Sequence, residues 1–146
     1  MSTVAAPSDQ QVVVFRLAGE NYGIDIFRVN EIIRLREITP VPQTRPHIRG
    51  LVNLRGKTIP VVDLRSRFGL PAVKDEETTR IIVVESEHGH VGVVVDEVNE
   101  VLTLSGEGIE STPSLVDTEA TEFVNGIAQR DGRLITLLDL DKALGD

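Results

Sequence analysis

The chain writes one unit twice, and that duplication constrains its fold more than any other feature. Val124-Asn125-Gly126-Ile127 answers Ile48-Arg49-Gly50-Leu51, Gly132-Arg133-Leu134-Ile135 answers Gly56-Lys57-Thr58-Ile59, and Leu138-Asp139-Leu140 answers Val62-Asp63-Leu64, all at an offset of 76 residues. Upstream the offset is 69: Gly92-Val93 answers Gly23-Ile24, and Val98-Asn99-Glu100-Val101-Leu102 answers Val29-Asn30-Glu31-Ile32-Ile33. The offsets differ by seven residues, an insertion between Leu104 and Phe123. A unit of roughly 60–65 residues buries only about 60% of its unfolded surface and is marginal alone. Two such units sharing an interface make a stable object.

Within the unit, residues 48–64 read as a hairpin followed by a short helix. Two apolar runs flank Arg55-Gly56-Lys57, and the glycine supplies the positive φ of a tight turn. Pro60 lacks a backbone donor, which places it at an edge or bulge of its strand. Asp63 is the expected N-cap of a helix over 64–68, stopped by Gly69. Further strands are expected over 12–17, 22–26, 80–85, 90–95, 98–104, 123–130 and 133–138, with a terminal helix over 139–144. Residues 27–33 read two ways: as strand–turn–strand by analogy with the second copy, or as a short helical turn at Phe27-Arg28. The three prolines of residues 39–46 demand a loop. The segment 105–122 is polar and reads as partly helical around 118–123. Five short strands per copy, joined by hairpins, predict an all-β fold of two packed five-stranded barrels with short helices. The expected organisation is a frayed tail over 1–10, a first subdomain over about 11–69, a linker over 70–78 and a second subdomain over about 79–146, strands being free to exchange between barrels.

Composition narrows the chemistry. Apolar residues make up 40% of the 146, aromatics only 3%, so the core is built from branched aliphatics. There is no cysteine, hence no disulfide, thiol catalysis or cysteine zinc site. The start carries no signal-peptide pattern, and no apolar run reaches the ~18–20 residues that span a bilayer; the expectation is a soluble, cytoplasmic protein. A net charge of −8 argues against nucleic-acid binding. Residues 1–73 hold 10 basic and 6 acidic side chains, whereas 74–146 hold 5 and 17. Such asymmetry is either two solvated faces or a bipolar molecule that meets different partners at its two ends.

Candidate catalytic motifs fail on context. Gly56-Lys57-Thr58 matches the end of a phosphate-binding P-loop, but Leu51 stands where that loop needs glycine, and the segment runs into Ile59-Pro60 rather than a helix. His88 and His90 flank Gly89 in an apparent turn without a third ligand nearby, and His47 stands alone. No serine sits in a G-x-S-x-G elbow. The sequence reads as non-catalytic, with no cofactor or metal. Glu31 and Arg55 are the unusual charges: both interrupt apolar segments, where an unpaired charge is costly to bury. They either pair with one another, point to solvent, or frame a partner-binding groove.

These residues also carry a resemblance. The run I-R-G-L-V-N-L-R-G-K-T-I-P-V-V-D-L-R, with Y-G-I-D-I upstream and V-G-V-V-V-D-E-V downstream, closely resembles the chemotaxis coupling proteins of the CheW family, over about residues 11–144. That resemblance implies two SH3-like barrels with a hydrophobic interface, and an adaptor rather than an enzyme. It implies binding to the cytoplasmic tips of methyl-accepting chemoreceptors and to the regulatory domain of a histidine autokinase, with weak self-association in rings, no nucleic acid, and membrane contact only through receptor arrays. Carried over by motif, Val29, Glu31, Gly50, Arg55 and Val101 fall on the receptor groove. Ile38, Val41 and Leu115 fall on the kinase contact, and Glu110 stands where some members are basic. Two other classes are kept beside it: a phosphate or metal enzyme using Lys57 or the His88–His90 pair, and a detached regulatory module of a larger signalling protein. The end of the chain straight after the second repeat favours a stand-alone adaptor over the latter.

Overall fold

A computed structural model describes residues 10–42, 47–87, 89–104, 109–110 and 123–144, the side chains of 109–110 excepted. In the first half, β1 (Gln10–Leu17), β2 (Glu20–Asp25), a 3₁₀ turn (Ile26–Arg28), β3 (Val29–Arg34), β4 (Ile48–Leu54), β5 (Lys57–Asp63) and α1 (Leu64–Arg67) follow in order. In the second half come β6 (Arg80–Ser86), β7 (Gly89–Val95), β8 (Glu97–Leu104), a two-residue β9 (Ile109–Glu110), β10 (Val124–Arg130), β11 (Arg133–Leu138) and α2 (Leu140–Leu144). The two readings of residues 27–33 both hold in part, since one 3₁₀ turn precedes a strand. The short β9 falls inside the segment expected to be polar and partly helical. The rest of that helix expectation, at 118–122, lies outside the described residues.

One sheet runs β8-β1-β2-β11-β10-β9 and the other β3-β6-β7-β5-β4. Exchanging the two halves maps the second order onto the first, strand for strand, and β9, paired with Ile127, answers the isolated bridge from Thr39 to Leu51. Leaving β9 aside, each sheet draws two strands from one half and three from the other. The junctions are the parallel pairs β5–β7 and β11–β2 and the antiparallel pairs β3–β6 and β1–β8. Even the irregularities repeat: the register shifts at Ile48/Gly50 on β4 and at Val124/Gly126 on β10 are the same shift 76 residues apart.

Three hairpin tips share one geometry. Ala18-Gly19, Arg55-Gly56 and Asp131-Gly132 each place two successive residues at positive φ, the backbone of a type I′ turn, whose twist matches that of the strands it joins. Pro60 needs correcting. Its strand lies inside the sheet, between β7 and β4, not at an edge. Leu51, its partner across β4, exchanges both backbone bonds with Thr39, at 2.8 Å each. The Leu51–Pro60 pair is thus a non-bonded pair of the ladder, and the parallel ladder to β7 begins only at Val61. The missing donor falls where no acceptor needs it.

Among the described residues three clusters form the core. Val52, Leu54, Ile59, Val61, Ile81, Val83 and Val94 pack together on one sheet, and Val12, Val14, Leu104, Ala128, Ile135 and Leu137 on the other. The largest cluster packs the two sheets together and includes Phe15, Leu64, Ile82, Val93, Phe68, Phe123 and Leu140. Through it runs a file of aromatic rings: Phe15–Tyr22, Tyr22–Phe68 and Phe68–Phe123, with centroids 5.7, 5.8 and 5.4 Å apart. Burial raises the Tyr22 hydroxyl pKa, with Glu20 adding to it. Four of the chain's five aromatics stand in that file; Phe27 does not.

Candidate protein-docking site

Among the described residues no ladder joins β3 to β4 or β8 to β10, and side chains reach across each gap. On one sheet Arg36 donates to the Asn53 carbonyl at 3.2 Å, and on the other Arg130 donates to the Thr103 carbonyl at 2.6 Å. Ion pairs sit on the same seams. Arg55, on the β4–β5 tip, donates to Glu31 on β3 at 2.7 Å. Glu100, the counterpart of Glu31, accepts from Arg133 on β11 at 3.0 Å. Glu31 and Arg55 therefore pair with one another, the first of the alternatives their placement raised. They are unequal partners: the Arg55 side chain is 73% exposed and that of Glu31 only 21%. A guanidinium so exposed, held by one carboxylate, keeps donors free for an incoming acceptor.

The remaining receptor-groove candidates take different positions. Val29 is half-buried against the inter-sheet core. Val101 is 50% exposed on β8, and its counterpart Ile32 is exposed on β3; these are the equivalent edge strands of the two sheets. Gly50 is buried and offers no side chain to a partner. A Cβ there would lie 2.3 Å from the Thr39 carbonyl oxygen, at a φ of +153°. Its role is to let residues 38–39 close over β4. Of the kinase-contact candidates, Ile38 packs half-buried on the core of the β3-β6-β7-β5-β4 sheet, and Val41, three residues on, is half-buried. Leu115 and the Glu110 side chain lie outside the described residues, as does His88. His90 pairs with Glu85 across β6 and β7, and His47 Nδ1 stands 2.8 Å from the Ser66 hydroxyl. Lys57 is an exposed hairpin residue, not part of a phosphate cradle.

Sequence reasoning passed over a pair of clamps. Arg65 of α1 binds Asp96, in the β7–β8 turn, through Nε at 3.0 Å and through a second guanidinium nitrogen. Asp96 also accepts from the Ala18 amide at 2.9 Å. Arg28, in the β2–β3 turn, donates to both oxygens of Asp141 on α2, at 2.7 and 3.3 Å, and twice to the Glu85 carbonyl. Burial works against the Asp96 charge, but the Arg65 hydrogen bonds and the Ala18 amide outweigh it, and its carboxyl lies below the usual range. The hydrogen bonds from Arg28 lower the Asp141 carboxyl likewise. A third tie runs from Arg67, which donates to the carbonyls of Ala143 and Lys142 and lies 4.7 Å over the Phe123 ring. Arg65 and Asp141 are equivalent positions of the repeat, 76 residues apart, but the offset pairs neither with its turn partner.

Ion pairs also cross between the unequally charged halves. Arg16–Glu97, Arg28–Asp141, Arg49–Asp75 and Arg65–Asp96 each join a base of the first half to an acid of the second. Four bases of the first half are thus paired with acids of the second because the halves interleave, and a net charge of −8 remains.

Comparison with known proteins gives a consistent result. Residues 11–146 match a family model described as a CheW-like domain. The chain is 38% identical over 135 residues to the chemotaxis protein CheW of Klebsiella aerogenes, covering 92% of this chain and 81% of that protein. It is 34% identical over 142 residues to the chemotaxis protein CheW of Bacillus subtilis, covering 97% and 91%. The crystal structure of the scaffolding protein TtCheW from Thermoanaerobacter tengcongensis is similar at a TM-score of 0.86 and 40% identity, over 94% of this chain and 93% of that one.

Proposed function

The chain belongs to the CheW-like family, and from that premise we propose that it is the non-catalytic adaptor that couples chemoreceptor cytoplasmic tips to the regulatory domain of a histidine autokinase. The single observation that supports this most is the Glu31–Arg55 seam, a half-satisfied cation on a fixed turn beside the exposed Ile32. An amphipathic receptor helix lays its apolar stripe along this region, and an acid on that helix meets Arg55. Val29, Glu31, Arg55 and Val101 make the receptor contact, with Gly50 shaping it from behind. Ile38, Val41 and Leu115 make the kinase contact. The two halves, about 11–69 and about 79–146, serve as one body joined by the linker 70–78.

The mechanism is mechanical. A receptor changes kinase output only if its signalling states differ in how well they hold the adaptor. Interfaces of this kind can bury less than ~1,200 Å² and be weak singly; repetition in an array, recruited to the membrane by receptors, supplies effective concentration. The test is a pull-down of the purified chain with a receptor-tip fragment and, separately, with the kinase regulatory domain. Capture of both supports coupling. Capture of neither by a folded sample removes the assignment.

A further inference from the structure

Phe27 is the one aromatic outside the ring file, and it is 85% exposed. Leaving a phenyl ring in water forgoes the stabilisation that its burial would give, so its setting matters. It stands in the middle of the 3₁₀ turn Ile26–Arg28, and this turn is not loose. Asp25 caps it by accepting from the Phe27 amide at 3.0 Å, while Arg28 fastens it to the Glu85 carbonyl and to Asp141. The duplication supplies the contrast: the counterpart of Phe27 is Asp96, which is consumed by the Arg65 clamp. In the first half the clamp has passed to the next residue, Arg28, and position 27 is released to face solvent on a fixed backbone. A rigid, exposed aromatic loses little entropy on binding and suits a hot spot.

We propose that Phe27 is a primary apolar anchor of the receptor-helix contact, and this rests on the receptor reading of Val29 two residues further on. Phe27 inserts between apolar side chains of the helix. Asp25, Glu85 and Asp141 surround Arg28, the one cation at this turn, so the rim of the anchor is acidic. The helix segment over Phe27 therefore carries a lysine or arginine that meets this rim.

The test is calorimetric titration of a receptor-tip fragment, and separately of the kinase regulatory domain, into the full-length chain and its Phe27→Ser, Phe27→Leu and Asp25→Asn variants. Phe27→Ser weakens receptor binding about tenfold or more, leaves kinase binding unchanged and does not lower the melting temperature; Phe27→Leu restores most of the affinity. Receptor binding by Phe27→Ser within twofold of the unaltered chain overturns the anchor while the receptor reading stands. Loss of kinase binding instead assigns Phe27 to the other partner and overturns it too. If the unaltered chain binds no receptor tip, both readings fall together. Asp25→Asn loosens the cap and reduces affinity less than Phe27→Ser; an equal or larger loss would make the turn, not the ring, the binding element.

Discussion

Arg65 and Asp141 hold the same place in the two copies of the repeat, and each grips the crossover turn of the other copy. The chemistry is inverted: a helix-borne base meets a turn acid in one clamp, and a helix-borne acid meets a turn base in the other. What the duplication has kept is the tie and not its polarity.

The clamps make measurable contributions. Charge-assisted hydrogen bonds of this kind are worth about 1.5–3 kcal/mol, so Asp96→Ala, which also leaves the Ala18 amide unpaired, should cost about 2–3 kcal/mol in chemical denaturation. A double-mutant cycle of Arg65→Ala with Asp96→Ala should give a coupling of about 1 kcal/mol or more. Additive single effects would mean that the two groups stabilise the fold separately.

The same carboxyl sets a pH response. The folded pKa of Asp96 lies below its unfolded value, so its contribution is present above the unfolded value and is lost as pH falls through the folded one. The stability gap between the unaltered chain and Asp96→Asn should therefore narrow from about pH 6 to about pH 3. A gap that stays constant over that range would show that the charge of Asp96 contributes nothing.

Gly50→Ala tests a backbone constraint. Its Cβ would collide with the Thr39 carbonyl, and the strain should cost about 2–3 kcal/mol. The Leu51 amide, bonded to Thr39, should lose its protection from hydrogen exchange before the other β4 amides do. Unchanged protection there would place the loss elsewhere.

How far the sequence could be read depends on which property of the chain was in question. The duplication and the hairpin at Arg55-Gly56 were plain, since apolar period and turn glycine are local signals, and the Asp63 cap was too: its side chain accepts from the Ser66 amide. The position of Pro60 was not, because the freedom of its strand edge depends on Thr39 reaching across to Leu51. The clamps escaped for the same reason: Arg28 and Asp141 are 113 residues apart. Charge counts by half carried no sign of the four ion pairs that join the halves. At the site, Glu31 and Arg55 were visible as charges in apolar runs. Phe27 carried no such mark, since only the burial of the other aromatics singles it out.

Arg55→Glu separates coupling from folding. The side chain is largely in solvent, and exposed ion pairs are worth about 0–1 kcal/mol, so the variant should melt within a few degrees of the unaltered chain. Receptor-dependent kinase activity in a reconstituted system should be abolished. Undiminished activity would remove Arg55 from the receptor contact.

Phe68→Ala attacks the ring file at its centre, between Tyr22 and Phe123. The cavity should cost roughly 3–5 kcal/mol, lowering the melting temperature by about 10 °C for a chain of this size. A drop of only a degree or two would mean that the two sheets close over the gap.

The interleaving of strands has a kinetic consequence. One copy of the repeat alone cannot complete either sheet, so two separate copies could build this structure only as a symmetric pair, at a rate and yield set by their concentration. Residues 70–78 turn that bimolecular encounter into an intramolecular one. The chain is in effect a homodimer tethered end to end, which folds as readily dilute as concentrated. Such a tether also lets its two halves diverge, as two identical subunits could not, so that one turn keeps an aspartate for the clamp while the other presents a phenylalanine.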